Sequence, residues 1–244
     1  MTFLKQLKID TQGHDKSRYP FNIPSIKNGI ELNFTNNVTF FVGENGSGKS
    51  TILEAVAEIC GFNLSGGNKN HNYNFHQTES ELSSAMKLSW YPAKVSQGFF
   101  MRAESFFNFA TYIDKLIDED SQIVRAYGGK SLHKQSHGES FLSLFKNRFE
   151  KGLYILDEPE AALSPNRQLS FLLLIHELES SGKAQFLIAS HSPILLSYPN
   201  STIYSLDHEE TKKINYKDTE HYKLTKEFLD APERYYRFLF DQNE

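Results

Sequence analysis

The sequence predicts an α/β fold in which helices cover a parallel sheet, and three observations predict it. The first is an apolar run, Val38-Thr39-Phe40-Phe41-Val42. It leads through the glycine-rich turn Gly43-Glu44-Asn45-Gly46-Ser47-Gly48-Lys49-Ser50 into a helical pattern from Thr51 to Ala57. The second is a pair of short continuous apolar runs, Leu153 to Leu156 and Phe186 to Ala189, of the kind buried on both faces of a parallel sheet. The third is what ends those runs, Asp157-Glu158 and Ser190-His191. Parallel strands would bring these polar residues to the same carboxyl edge as the glycine-rich turn.

Taken in order, Phe3 to Ile9 and Gly29 to Phe34 read as strands, a small antiparallel section ahead of the run at 38–42. Between them, Tyr19 or Phe21 either stacks on a flat base or fills the core beside Pro20. Residues 61–80 are polar and rich in glycine and asparagine, an irregular excursion. His71 and His76 within it have no spaced carboxylate or cysteine and read as surface rather than as a metal site. Ala85 to Leu88 with Trp90 and Tyr91 make an edge strand, and Gly98 to Glu104 the next one.

From Ser105 to Ala126, Phe106, Phe107, Phe109, Ala110, Ile113, Leu116 and Ile117 recur at helical spacing, as the core of a small helical lobe does. Ser136-His137-Gly138-Glu139-Ser140 then opens a further helix. Its N–H groups and hydroxyls can receive an anion, or Ser136 or Ser140 only caps the helix. Pro165 starts a helix through Leu178 with Leu169, Leu172, Leu173 and Ile175 on its apolar side, and Ser192-Pro193 starts a short one. Thr202 to Leu206 and Lys213 to Tyr216 form a late strand pair, and Thr219 caps a terminal helix. In the last helix Tyr235, Tyr236, Phe238, Leu239 and Phe240 dock on the core or face a partner.

The 244 residues are expected to form a single domain, 1–244, with 99–150 as an inserted helical lobe. With 26 basic and 30 acidic side chains the formal charge is -4, which supplies no overall attraction to nucleic acid. Cys60 is the only cysteine, so an internal disulfide and a paired-cysteine metal hook are both excluded. No apolar stretch approaches about 18 residues. The expectation is a cytoplasmic protein with no stable membrane insertion.

The chemistry follows from the turn. Glycines allow successive backbone N–H groups to point at phosphate oxygens, and the helix that follows adds its positive end. Asn45, Gly46, Ser47, Gly48, Lys49, Ser50 and Thr51 are therefore the expected nucleotide-phosphate site, with Mg2+, and the family resemblance given below implies ATP as the nucleotide. Lys49 is expected on the β- and γ-phosphates, Ser50 in the magnesium shell and Thr51 toward the α-phosphate. Asp157 is placed to hold the metal opposite Ser50, and Glu158, one residue on, to orient and deprotonate water. His191 can donate to the γ-phosphate and position Glu158. The absence of an acceptor-binding motif favours a hydrolase over a kinase.

The order of these motifs resembles the ABC-type ATPase family, over about residues 25–206. In that resemblance Ser136-His137-Gly138-Glu139 stands at the family's signature, Leu153 to Glu158 at the Walker B strand, Ala162-Leu163-Ser164 at the D-loop and His191 at the switch histidine. His137 and Glu139 depart from the family's glycine and glutamine, and Ser164 from its aspartate. The glutamine loop falls on Glu104, favoured as a metal-side residue, or on Gln97. The resemblance implies an ATP-dependent head-to-tail homodimer in which Ser136, Gly138 and Glu139 of one copy meet the nucleotide held by the other. Gly43 to Ser50, Leu156 to Ser164 and Ala189 to Pro193 look closer to the soluble RecF/SMC-like branch than to transporter subunits, with no room for coiled-coil arms. The implied action is on DNA or on a nuclease-like partner in repair or phage defence. The alternatives are the ATPase subunit of a membrane transporter and a nucleotide-gated module with little turnover.

Overall fold

The computed structural model describes residues 2–64, 80–92, 97–103, 111, 139, 142–143, 145–146 and 151–240. Strand β1 (Leu4–Ile9) pairs antiparallel with β2 (Ile30–Asn33) and with β4 (Met86–Trp90), making the expected small antiparallel sheet. The second sheet has the order β5 (Gly98–Arg102), β6 (Gly152–Asp157), β7 (Ala184–Ala189), β3 (Val38–Val42), β8 (Thr202–Ser205), β9 (Lys212–Ile214). Its first five strands are parallel, and β9 closes the edge antiparallel to β8.

All five residues of β3 and all six of β6 and β7 are buried, which is why these strands read as unbroken apolar runs. The side chains still alternate. Phe41, Phe100, Ile155 and Leu187 face one core, with Leu4, Leu7 and Ile9 of β1 and with Ile52, Leu53 and Val56 of α2 (Lys49–Cys60). Val38, Phe40, Tyr154, Leu156, Phe186 and Ile188 face the other core. There they meet Phe171 and Ile175 of α4 (Pro165–Ser180) and Leu195 and Leu196 of α5 (Pro193–Leu196). Each such side chain contributes roughly 1.5 to 3 kcal/mol of burial.

Helix α2 contacts both sheets and ends at Gly61, whose φ of 73° lets its N–H return to Ala57 O and Glu58 O. Two one-turn helices were not foreseen, α1 (Pro24–Lys27) and α3 (Glu81–Ala85). Beyond β9, Thr219 caps α6 (Glu220–Asp230) by accepting from Tyr222 N, and α7 (Pro232–Phe240) follows.

Four expectations are corrected. The apolar side of α4 is Phe171 and Ile175 with Leu172 beside them, whereas Leu169 and Leu173 are 57% and 58% exposed. The helix turns that stripe by about one position because Gln168 is buried instead, donating to Leu163 O and accepting from Ser192 Oγ. The aromatic residues of α7 do not dock on the core. No residue of α7 is buried, and the helix packs on α6 through Phe228 against Tyr235 and Tyr236. Residues 99–102 belong to β5 of the main sheet, so an inserted lobe cannot begin at 99. β5 and β6 each stop short of the sequence expectation, at Arg102 and Asp157, and Glu158 leaves the strand. The phenylalanine-rich helix, His71 and His76 lie outside the described residues.

Among the buried side chains that join the two sheets, Gln185 makes three hydrogen bonds. Gln185 of β7 accepts from Phe3 N and Leu4 N through Oε1, at 2.8 and 2.7 Å, and donates to Leu4 O at 3.0 Å. Gln185→Leu keeps the volume but leaves two N–H groups and a carbonyl without partners. The expected loss is about 2 to 4 kcal/mol, read from the urea midpoint. A loss below about 1 kcal/mol would mean that the junction between the sheets does not depend on Gln185.

Candidate nucleotide site

Parallel direction puts the ends of β3, β6, β7 and β8 on one edge of the sheet, and the glycine-rich turn leaves β3 there. The turn closes on itself through Ser47 N to Glu44 O at 3.1 Å. Gly48 caps α2 with a φ of 98°, and a Cβ there would press on Ile23, Ser25 and Ile26 of the α1 segment. The first bond across this start is Ile52 N to Gly48 O, so the N–H groups of Lys49, Ser50 and Thr51 have no acceptor within the helix. They form the donor end that a phosphate needs.

A cleft of about 430 Å³ opens over this end, lined by Tyr19, Asn45, Gly46, Gly48, Lys49, Ser50, Thr51 and Glu158. Its size falls within the range of small-molecule sites. Tyr19 and Phe21 separate cleanly: Phe21 is core, stacked on His14, whereas Tyr19 is 64% exposed at the cleft, its hydroxyl 3.1 Å from Thr51 Oγ1.

Lys49 is buried, and its ammonium donates to Gly43 O at 2.6 Å and Glu44 O at 3.0 Å. Burial lowers its pKa, opposed by the charges of Glu158, Asp157, Asp207 and Glu44. Ser50 Oγ donates to Asp157 Oδ1 at 3.1 Å, joining the start of α2 to the end of β6 across β7. A hydroxyl and a carboxylate side by side are hard oxygen donors, and one carboxylate with substrate phosphate is a donor set that Mg2+ accepts. Among the described residues no cluster of three or more histidine, cysteine or carboxylate groups forms a protein-only metal cage.

Glu158 has a φ of 51° and ψ of 50°, a left-handed conformation that costs on the order of 1 to 3 kcal/mol outside glycine. Pro159 disfavours the right-handed alternative, and Glu158 N donates to Ala189 O at 3.0 Å while its carbonyl accepts from Ala161 N. Glu158 Oε1 lies 3.4 Å from His191 Nε2, a buried nitrogen with no hydrogen-bond partner. His191 N donates to Glu160 Oε1 at 2.6 Å, and burial raises the Glu160 pKa against that bond.

The edge thus brings together Lys49, Ser50, Thr51, Asp157, Glu158 and His191, with Asn45, Gly46, Ser47, Gly48 and Tyr19 around the turn. Glu139 is elsewhere, paired with Arg167 of α4 at 3.1 Å. Glu104, Ser136 and Gly138 lie outside the described residues.

Three residues at this edge were not read from the sequence. Arg102, in register with Asp157 on the neighbouring strand, donates from Nε to Asp157 Oδ2 at 2.9 Å and pairs with Glu54. Its signal was a lone charge ending an apolar strand. Asp207, just past β8, accepts from Glu44 N at 2.7 Å and holds the turn. A Cβ on Gly43, where φ is 151°, would come within 2.7 Å of Ser47 Oγ and 3.0 Å of Asp207 Oδ1. The third, His221, sits with its Nε2 2.6 Å from His191 Nδ1, and nothing local in the sequence marks it.

A family model described as AAA domain matches residues 21–232. TupC, the ATP-binding protein of the tungstate uptake system of Campylobacter jejuni, is 26% identical over 230 residues, spanning 82% of this chain and 67% of its own length. Among solved structures, CbiO1 from Clostridium perfringens, part of the ABC transporter complex CbiONQ, is similar with a TM-score of 0.50 and 16% identity, over 93% of this chain and 96% of its own. The SMC head domain from Thermotoga maritima has a TM-score of 0.49 at 16% identity, over 88% of this chain and 99% of its own. Among the described residues no helix is long and apolar enough to cross a membrane.

Asp207→Ala removes the carboxylate that holds Glu44 N while leaving the phosphate-facing amides in sequence. ATP affinity is expected to fall about tenfold, the worth of one charge-assisted hydrogen bond, measured by titration calorimetry. Unchanged affinity would mean that the turn is held without Asp207.

Proposed function

The chain belongs to the AAA domain family and is an ATPase of ABC-type fold, and from that premise we propose that its turnover closes and opens a head-to-tail pair of copies. The observation that carries this reading is the convergence of Lys49, Ser50, Asp157, Glu158 and His191 at one sheet edge.

ATP lies with its phosphates over the amides of residues 45–51 and its base toward Tyr19. Lys49 meets the β- and γ-phosphates with the ammonium that otherwise donates to Gly43 O and Glu44 O. Ser50 and Asp157 would hold Mg2+, with Glu104 as a further candidate ligand, and the ion would supply charge neutralisation at the phosphates. Glu158 takes a proton from water. The water oxygen bonds to the γ-phosphorus as its bond to the β-γ bridging oxygen breaks, and ADP and phosphate leave. The 3.4 Å approach of His191 Nε2 to Glu158 supports His191 as the group that positions Glu158 and donates to the γ-phosphate.

The chain acts as one domain with a helical lobe inserted after β5. From that lobe Ser136, Gly138 and Glu139 of one copy reach the triphosphate of the other, so ATP bridges the closed pair and hydrolysis releases it. The exposed position of Glu139 is compatible with a contact in trans.

For what the motor drives, the likeness to TupC supports the ATP-binding subunit of an uptake system over an action on DNA. The second reading, a compact ATPase acting on DNA or a nuclease-like partner, draws on the wording of the motifs at 43–50, 156–164 and 189–193. Purification at native level separates them. A co-purifying membrane protein that stimulates turnover supports the first, and DNA-stimulated turnover with retention on DNA supports the second.

Glu158→Gln is expected to retain ATP and the closed dimer while turnover falls by about 100-fold or more. Unchanged phosphate release would remove Glu158 from its role. Ser136→Arg is expected to leave ATP binding by the single copy intact and to abolish the ATP-dependent dimer in light scattering. A dimer that persists would exclude Ser136 from the interface.

A further inference from the structure

We propose that His221 is a positioning residue for hydrolysis, donating its Nε2–H to Nδ1 of His191 and so fixing His191 in the tautomer that carries its proton on Nε2. The inference rests on the role proposed above for His191 and adds a residue from outside the parallel sheet.

The two imidazoles meet edge on, with centroids 4.7 Å apart, planes at 57° and Nδ1 of His191 2.6 Å from Nε2 of His221. At that separation one nitrogen carries the hydrogen and the other accepts it. Two arrangements are open, and the other end of His191 chooses between them. His191 Nε2 is buried and lies 3.4 Å from a Glu158 oxygen.

With the proton on Nδ1, His191 would turn a lone pair toward the Glu158 carboxylate and toward the substrate phosphate, setting acceptors against acceptors. With the proton on Nε2, it faces both as a donor, and Nδ1 must then receive a hydrogen bond from its neighbour. His221 is the neighbour in place to supply it. A ring nitrogen's partner sets which tautomer is present, as in other histidine sites.

The donor is itself held firmly. His221 is in the first turn of α6, and the cap residue Thr219 is buried, donating to Tyr216 O at 2.8 Å and accepting from Tyr222 N at 3.3 Å. Burial and then the neighbouring His191 lower the His221 pKa, against the charges of Asp207 and Glu44 and together with that of Lys49, so the neutral ring that can act as a single donor is favoured. α6 has no buried residue of its own, and this ring contact ties it to the site.

The test uses the full chain with histidine labelled by nitrogen-15, together with His221→Phe, His221→Asn and His191→Ala. In the unaltered protein, ring nitrogen shifts are expected to show His191 with its proton on Nε2. His221→Phe keeps a ring but has no donor. It is expected to give a mixture of His191 tautomers and to lower kcat roughly tenfold, the scale of a lost orienting partner, with KM for ATP within about twofold. His221→Asn, whose amide can donate to Nδ1, is expected to recover most of that loss.

A His191 protonated on Nδ1 in the unaltered protein would overturn the proposal, and that measurement does not require any variant to fold. So would a His221→Phe enzyme of full kcat beside an inactive His191→Ala. If His191→Ala itself turns over normally, the role given to His191 fails instead, and the tautomer measurement still decides whether His221 is its donor.

Discussion

The hydrogen bond from Ser50 to Asp157 is the point on which the rest of the site depends, because it joins two chain segments separated by a strand. β7 lies between β3 and β6 in the sheet, so the hydroxyl at the start of α2 and the carboxylate at the end of β6 meet only if all three strands run the same way and end level. The continuous burial of these strands enforces that arrangement, since the apolar residues of both faces need cover from α2 on one side and α4 on the other. Arg102 extends the same row by one strand, taking the second oxygen of Asp157. Both carboxylate oxygens are therefore held in place before any ligand arrives, and the orientation of Asp157 is a property of the sheet.

Glu158 and His191 obey a different constraint. Each lies just beyond a strand, where the ladder no longer dictates direction. Glu158 is turned by its left-handed backbone and the proline after it, and its amide is held by Ala189 O. The His191 backbone is pinned by Glu160, a carboxylate buried enough that its charge is disfavoured and its hydrogen bond from His191 N correspondingly important. The two side chains thus derive their positions from short-range bonds between adjacent strand exits, with Glu158 Oε1 3.4 Å from His191 Nε2.

Much of the sheet was legible in the sequence because its strands are buried on both faces and its glycines sit where only a tight turn leads into a helix. Lys49 and Ser50 could be singled out because the glycine-rich turn after β3 leads straight into them, and Asp157, Glu158 and His191 because they end or closely follow a recognisable strand. What was missed depends on contacts that no local pattern encodes. Leu169 and Leu173 have helical spacing equal to that of Phe171 and Ile175, and the stripe that turns inward is the one that also buries and hydrogen-bonds Gln168. α1 and α3 are single turns, too short to show a period. Asp207 and His221 come from the last third of the chain and reach the site by tertiary packing, one from a strand exit and the other from a helix with no buried residue. The aromatic crowding of α7 resembles a core helix in composition, yet none of its residues is buried and its rings pack on Phe228 of α6.

Gln185 has a consequence for how the molecule breathes. Its amide belongs to a central strand of the parallel sheet, while the groups it satisfies are the first two amides and a carbonyl of the antiparallel one. Edge and terminal strands ordinarily fray alone, each at its own small free energy. Here β1 cannot separate from β7 without leaving a buried polar side chain unpaired. Three hydrogen bonds of one amide therefore couple two sheets that share no ladder, and separating them leaves polar groups of both without partners.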